Sequence, residues 1–191
     1  MVRTLTLSLL LAGIAGAAQA HPAAEHANGF VAGLVHPPGG LDHLLAMVAV
    51  GLWASQLGGR ALWQVPTVFV AVMVLGGAAG FAGIAPAGIE AGILASLLIL
   101  GLVVAASVRL HNGAAMLLVG AFALCHGLAH GGELPAAASP LGYTAGFVIA
   151  TSALHLLGLG IGAAATRLSA GLVTRIAGAG VAAAGLALAV G

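Results

Sequence analysis

Long apolar stretches alternate with short polar interruptions along this chain. Beyond its first twenty residues six such stretches follow, at about 41–58, 61–84, 87–108, 112–131, 141–165 and 170–190. Each is close to the ~20 residues a helix needs to cross about 30 Å of hydrocarbon. Inside lipid every backbone N–H and C=O must be bonded within the protein, so only helices or closed barrels span it. None of the stretches alternates apolar and polar positions as a barrel strand does. The pattern therefore predicts an all-α, polytopic membrane helix bundle with six transmembrane helices.

The first twenty residues, MVRTLTLSLLLAGIAGAAQA, have a different design: one arginine, a short apolar core and a small-residue ending at Ala18-Gln19-Ala20. This is the plan of a secretory signal peptide cleaved after Ala20. The expected organisation is a signal peptide over 1–20, a short periplasmic segment over 21–40 and a six-helix transmembrane domain over 41–191. Composition agrees. Hydrophobic residues make up 61% of the chain and charged residues 5%, against roughly 25% charged in a water-facing domain. With a formal net charge of +1 and no basic stretch, nucleic acid is excluded as a partner. Cys125 is the lone cysteine, so no disulfide forms within the chain.

The few charges set an orientation. Arg60, Arg109, Arg167 and Arg175 fall at or near one set of loops, and Glu25, Asp42 and Glu133 at the other. The positive-inside rule puts the arginines in the cytoplasm and both termini in the periplasm of an inner-membrane protein. Small-residue runs, GGAAG at 76–80, GLGIG at 158–162 and GAGVAAAG at 178–185, let helix backbones approach closely. Besides the lipid bilayer, a second copy of the chain is an admissible partner.

Polar side chains gather at two places. Residues 36–47 read HPPGGLDHLLAM and residues 125–135 read CHGLAHGGELP. In the second, His126, His130 and Glu133 fall at i, i+4 and i+7, one stripe on one helix face. Two imidazoles a turn apart can bind one metal ion, and a carboxylate a turn further can complete or orient the site. In the first, Pro37-Pro38-Gly39-Gly40 is expected to break the helix and turn His36 back toward Asp42 and His43. Asp42 also suits a helix N-cap. Met47, one turn below His43, is read as packing before ligation. On the predicted topology both motifs share the outer membrane level. Four imidazoles and two carboxylates suit a transition ion such as nickel, cobalt, copper or zinc, whereas magnesium or calcium calls for mostly oxygen donors. Two further residues, His155 deep in the fifth stretch and Glu90 near the outer end of the third, are candidates for a pathway. His21 and His26 form a weaker group in the amino-terminal tail, and His111 is read as a solvated loop residue.

These motifs resemble the signatures of the HupE/UreJ family, hydrogenase and urease accessory membrane proteins viewed as nickel or cobalt permeases. The likeness lies in His36 followed after five residues by Asp42-His43, and in CHGLAHGGELP, where Cys125 replaces the family's usual aromatic. It covers essentially the whole chain. It implies metal handling by His36, Asp42, His43, His126, His130 and Glu133, with Ni2+ or Co2+ as cargo and no prosthetic group. A thiol beside His126 bears on metal preference, although a buried neutral thiol is also a small hydrophobe.

Three functions are weighed. A divalent-metal permease fits best. A membrane sensor or accessory protein that binds without transport is second, since no large soluble domain relays a signal. An intramembrane metal hydrolase ranks last, because Gly127 follows His126 where the HExxH motif carries its general base. No GxxxxGK[ST] loop is present, so ATP is not hydrolysed through that motif.

Overall fold

The computed structural model describes residues 29–134, 139–168 and 171–190; the expected signal peptide, Ala20, His21 and His26 lie outside them. Within the described residues the chain forms α1 (Gly29–Gly39), α2 (Leu41–Leu57), α3 (Ala61–Phe81), α4 (Ile89–Ala105), α5 (Asn112–Gly132), α6 (Pro140–Arg167) and α7 (Gly171–Val190). Helices α2 to α7 coincide with the six apolar stretches. The largest offsets are at the ends of α3, at Phe81 against 84, and α4, at Ala105 against 108.

By length and hydropathy α3, α5, α6 and α7 can each cross a membrane, and α1 with α2, bent by 79° to one another, qualifies as a fifth span. Helix α4 is apolar but has 17 residues, about 25 Å of helix. Large apolar side chains cover the outside: Leu117, Leu141, Leu156 and Val190 are 67–84% exposed. Four of the eight histidines lie on the described helices α2, α5 and α6 with their side chains largely enclosed, at His43, His126, His130 and His155. An apolar outer surface with the ionisable side chains of the spans turned inward is the arrangement of a protein solvated by lipid. The chain is a multi-pass membrane protein.

Helix α1 departs from expectation. Part of the stretch expected as a short outer segment is helical, and the helix runs through Pro37 and Pro38 to Gly39. The bend falls one step later, at Gly40. Proline's fixed φ is itself helical; what it lacks is the N–H donor. Two such losses in the last turn are tolerable because α1 lies against α6. There a Cβ on Gly33 would meet the Tyr143 carbonyl oxygen at 2.0 Å.

Side-chain bonds gather one set of helix ends. The Trp53 indole N–H donates to the Val108 carbonyl at 2.9 Å, and the Gln56 amide to the Val104 carbonyl at 3.0 Å. Asn112 donates to Gln64 at 2.9 Å, and Arg175 to the Ala105 carbonyl at 2.9 Å. The ends of α2 and α4 and the starts of α3, α5 and α7 therefore share one level, with Arg60 and Arg109 in its loops. Consecutive helices from α2 to α5 run in alternate directions, which puts the start of α2 and the end of α5 together at the other level.

Close approach makes those ends meet. A Cβ on Gly127 of α5 would lie 2.2 Å from the Met73 carbonyl oxygen of α3. On the other side, Gly51 of α2 and Gly158 of α6 leave equally little room: added Cβ atoms would meet the carbonyl oxygens of His155 and Val48 at 2.2 Å each. Backbone lies against backbone at both contacts, as the small-residue runs predict.

Candidate metal centre

Three helices deliver the polar residues to one end of the bundle. The last turn of α1 carries His36, the first turn of α2 carries Asp42 and His43, and the last two turns of α5 carry His126 and His130. Glu133 is the residue that closes α5. Burial is graded: His126 is fully buried and His130 is 3% exposed, whereas the side chains of His36 and Glu133 are 36% and 54% exposed.

Hydrogen bonds fix the imidazole tautomers. His126 Nδ1 lies 2.9 Å from the Phe122 carbonyl oxygen. A carbonyl only accepts, so Nδ1 carries the proton. His43 Nδ1–H donates to Asp42 Oδ1 at 2.7 Å, and the same oxygen accepts the His43 backbone N–H at 2.9 Å. His130 Nδ1–H donates to Glu133 Oε2 at 3.3 Å. In all three rings Nε2 is left with a bare lone pair, buried and without a protein partner. An unmade buried acceptor costs about 1–3 kcal/mol, and each of these three lone pairs is a position that a bound ion or water can fill. Imidazoles held through Nδ1–H by a carboxylate or carbonyl, with Nε2 free, are the outer-shell arrangement of metal-ligating histidines.

The rings are close together. His43 and His130 have centroids 4.3 Å apart, and His43 and His126 5.1 Å. His36 stands 4.7 Å from His130 and 6.4 Å from His43, so the chain does turn it back. One donor atom each from His36, His130 and Glu133 falls within a 4.8 Å group, and Glu133 Oε2 lies 3.4 Å from His36 Nε2. His130 thus belongs to both a buried set with His43 and His126 and a more exposed set with His36 and Glu133. Hydrogen bonds from His130, and then His36, hold the Glu133 carboxyl well below the usual carboxylate range. It stays ionised, supplying negative charge at the mouth.

Other sequence candidates are placed elsewhere. Glu90 is exposed in the first turn of α4 and is not part of the donor group. Met47 is wholly buried in the apolar core. Asp42 sits inside the first turn of α2, while the cap position belongs to Gly40. Cys125 is turned toward Gly92 of α4, where an added Cβ would meet its sulfur at 2.6 Å. His111 caps α5 by accepting the Ala114 N–H at 3.0 Å. His155 is 1% exposed and lies deeper in α6. Sequence reasoning missed the aromatic wall: Phe147 is 4.4 Å from His130, Tyr143 is 6.0 Å from His36, and Phe69 is 5.6 Å from His126. Tyr143 and Phe147 are four apart on α6, a helical spacing that could have flagged them.

Comparison with known proteins gives the family of the chain. Residues 9–188 match the model of the family described as HupE / UreJ protein. The chain belongs to the HupE/UreJ family. Among curated relatives, Protein HupE of Rhizobium leguminosarum bv. viciae is 47% identical over 187 residues, 98% of this chain and 97% of that protein. No solved structure matches. Membership in HupE/UreJ, a family of transporters, sets aside the hydrolase reading: the chain is not an enzyme.

Proposed function

We propose that this HupE/UreJ protein is a permease that carries a divalent transition metal ion, nickel or cobalt, from periplasm to cytoplasm to supply metalloenzymes such as hydrogenase or urease. The observation that carries this reading is the set of three buried imidazoles, His43, His126 and His130, each with Nε2 unpartnered. Imidazole nitrogen suits nickel and cobalt, and a nitrogen-rich set disfavours magnesium and calcium. In this reading His36, Asp42, His43, His126, His130 and Glu133 form the receiving site. Glu133 and His36 meet the hydrated ion first, and His130 passes it to the buried rings. Asp42 and the Phe122 carbonyl act through the imidazoles they orient.

The proposal includes an inner-membrane location, six spans after a cleaved signal peptide, and both termini in the periplasm. The short α4 counts as the sixth span, and the arginine-bearing end faces the cytoplasm by the positive-inside rule. Nickel at a nitrogen site binds less tightly than copper, so selectivity falls to geometry and supply. The test is uptake of radioactive nickel and cobalt by cells lacking their own importers, comparing wild type with His43→Ala and His130→Ala at matched membrane expression. Wild type accumulates metal and both variants lose it. No uptake by wild type, with nickel still bound by the purified protein, moves the assignment to a membrane metal-binding sensor.

A further inference from the structure

Deeper in α6 lies a histidine that the outer cluster does not use. His155 is 1% exposed, and no protein group hydrogen-bonds either of its ring nitrogens. A neutral imidazole has one N–H to donate and one lone pair to fill, and buried polar groups rarely leave both unmet. The inexpensive explanation, a bond to Thr151 one turn earlier on the same face, is not taken. The fully buried Thr151 hydroxyl is directed instead at the Met73 sulfur, 3.8 Å away. Phe69 stands between the two levels: its ring meets His155 edge-on at 5.1 Å and His126 at 5.6 Å.

We propose that His155, with Thr151 one turn before it on α6 and the Met73 sulfur against that hydroxyl, is a second and weaker site for a divalent transition ion, one step deeper than the outer cluster and separated from it by the Phe69 ring. The place of this site in a transport sequence rests on the permease reading; the site itself is a claim about binding. Its primary donor is an imidazole nitrogen, and the Thr151 hydroxyl with the Met73 thioether, 3.8 Å apart, is the polar pair one turn away. Imidazole and thioether favour transition ions over magnesium or calcium. No carboxylate is in the set, so the ion is held loosely, and loose binding suits a station that must release what it receives.

The experiment uses the full purified chain and Ni2+ as probe. Equilibrium dialysis counts ions bound per chain over a range of concentrations, and proteoliposomes with an entrapped nickel-sensitive dye report flux. Wild type shows a tight and a weak class of ion. His155→Leu keeps the tight class and the wild-type melting profile, loses the weak class, and its flux falls at least ~10-fold. His155→Gln, which retains one donor, recovers part of the weak class. If the leucine variant does not fold, His155→Gln and Thr151→Ala, each weakening the second class alone, carry the same readout. Weak binding that survives unchanged in His155→Leu overturns the site, and with flux also unchanged it does so while leaving the permease reading intact. Wild type that holds both ions but moves none across the bilayer supports the site and refutes the permease.

Discussion

At position 42 a carboxylate takes two hydrogen bonds from its neighbour, one from the His43 ring and one from its backbone N–H. Asp42 thereby fixes which nitrogen of His43 carries the proton and where the other points. Loss of such an orienting partner typically costs 10–100-fold in metal affinity, so Asp42→Ala should weaken nickel binding by about that factor without changing the melting profile. Calorimetric titration of the purified variant checks this, and wild-type affinity would assign Asp42 no part in the site. The residues themselves were legible in the sequence: in a chain with 5% charged residues, two clusters of imidazole and carboxylate are conspicuous. The tautomers were not legible, because they depend on acceptors such as the Phe122 carbonyl, whose position only the folded helix sets. Glu90, exposed at the start of α4, shows what spacing leaves open. Depth along a span can be counted from sequence, but the face of a helix without a polar stripe cannot.

Between elements, glycines decide how near the helices come. A Cβ on Gly127 would press on the Met73 carbonyl, a backbone atom unable to swing aside. Gly127→Ala should therefore push α3 from α5 and destabilise the protein by about 1–3 kcal/mol. Gly160, two residues beyond Gly158 on α6, has nothing within 4 Å, and Gly160→Ala should be neutral or stabilising by up to about 1 kcal/mol. Thermal unfolding of the two variants in the same detergent distinguishes them, and equal losses would refute the packing argument. Hydrophobic length found the six principal helices to within a few residues, since nothing competes with it in lipid. It missed α1, where local chemistry pointed the other way: Pro37 and Pro38 read as a break, and packing on α6 outweighs two lost hydrogen bonds.

For the whole molecule, the alternating helices separate an arginine-bearing end from an end built of imidazole and carboxylate. Sidedness can be read by labelling. On a Cys125→Ala background, Ala85→Cys in the turn between α3 and α4 should react with a membrane-impermeant thiol reagent in intact cells. Arg109→Cys between α4 and α5 should react only after permeabilisation, and the reverse pattern would invert the direction of transport. The central claim is that residues from α1, α2 and α5 form one metal centre, and it is tested most directly by nickel-edge X-ray absorption of the purified, nickel-loaded protein. The wild-type spectrum should show several imidazole ligands, with fewer in both His43→Ala and His130→Ala. A spectrum of oxygen ligands alone, or one unchanged by both substitutions, would contradict it.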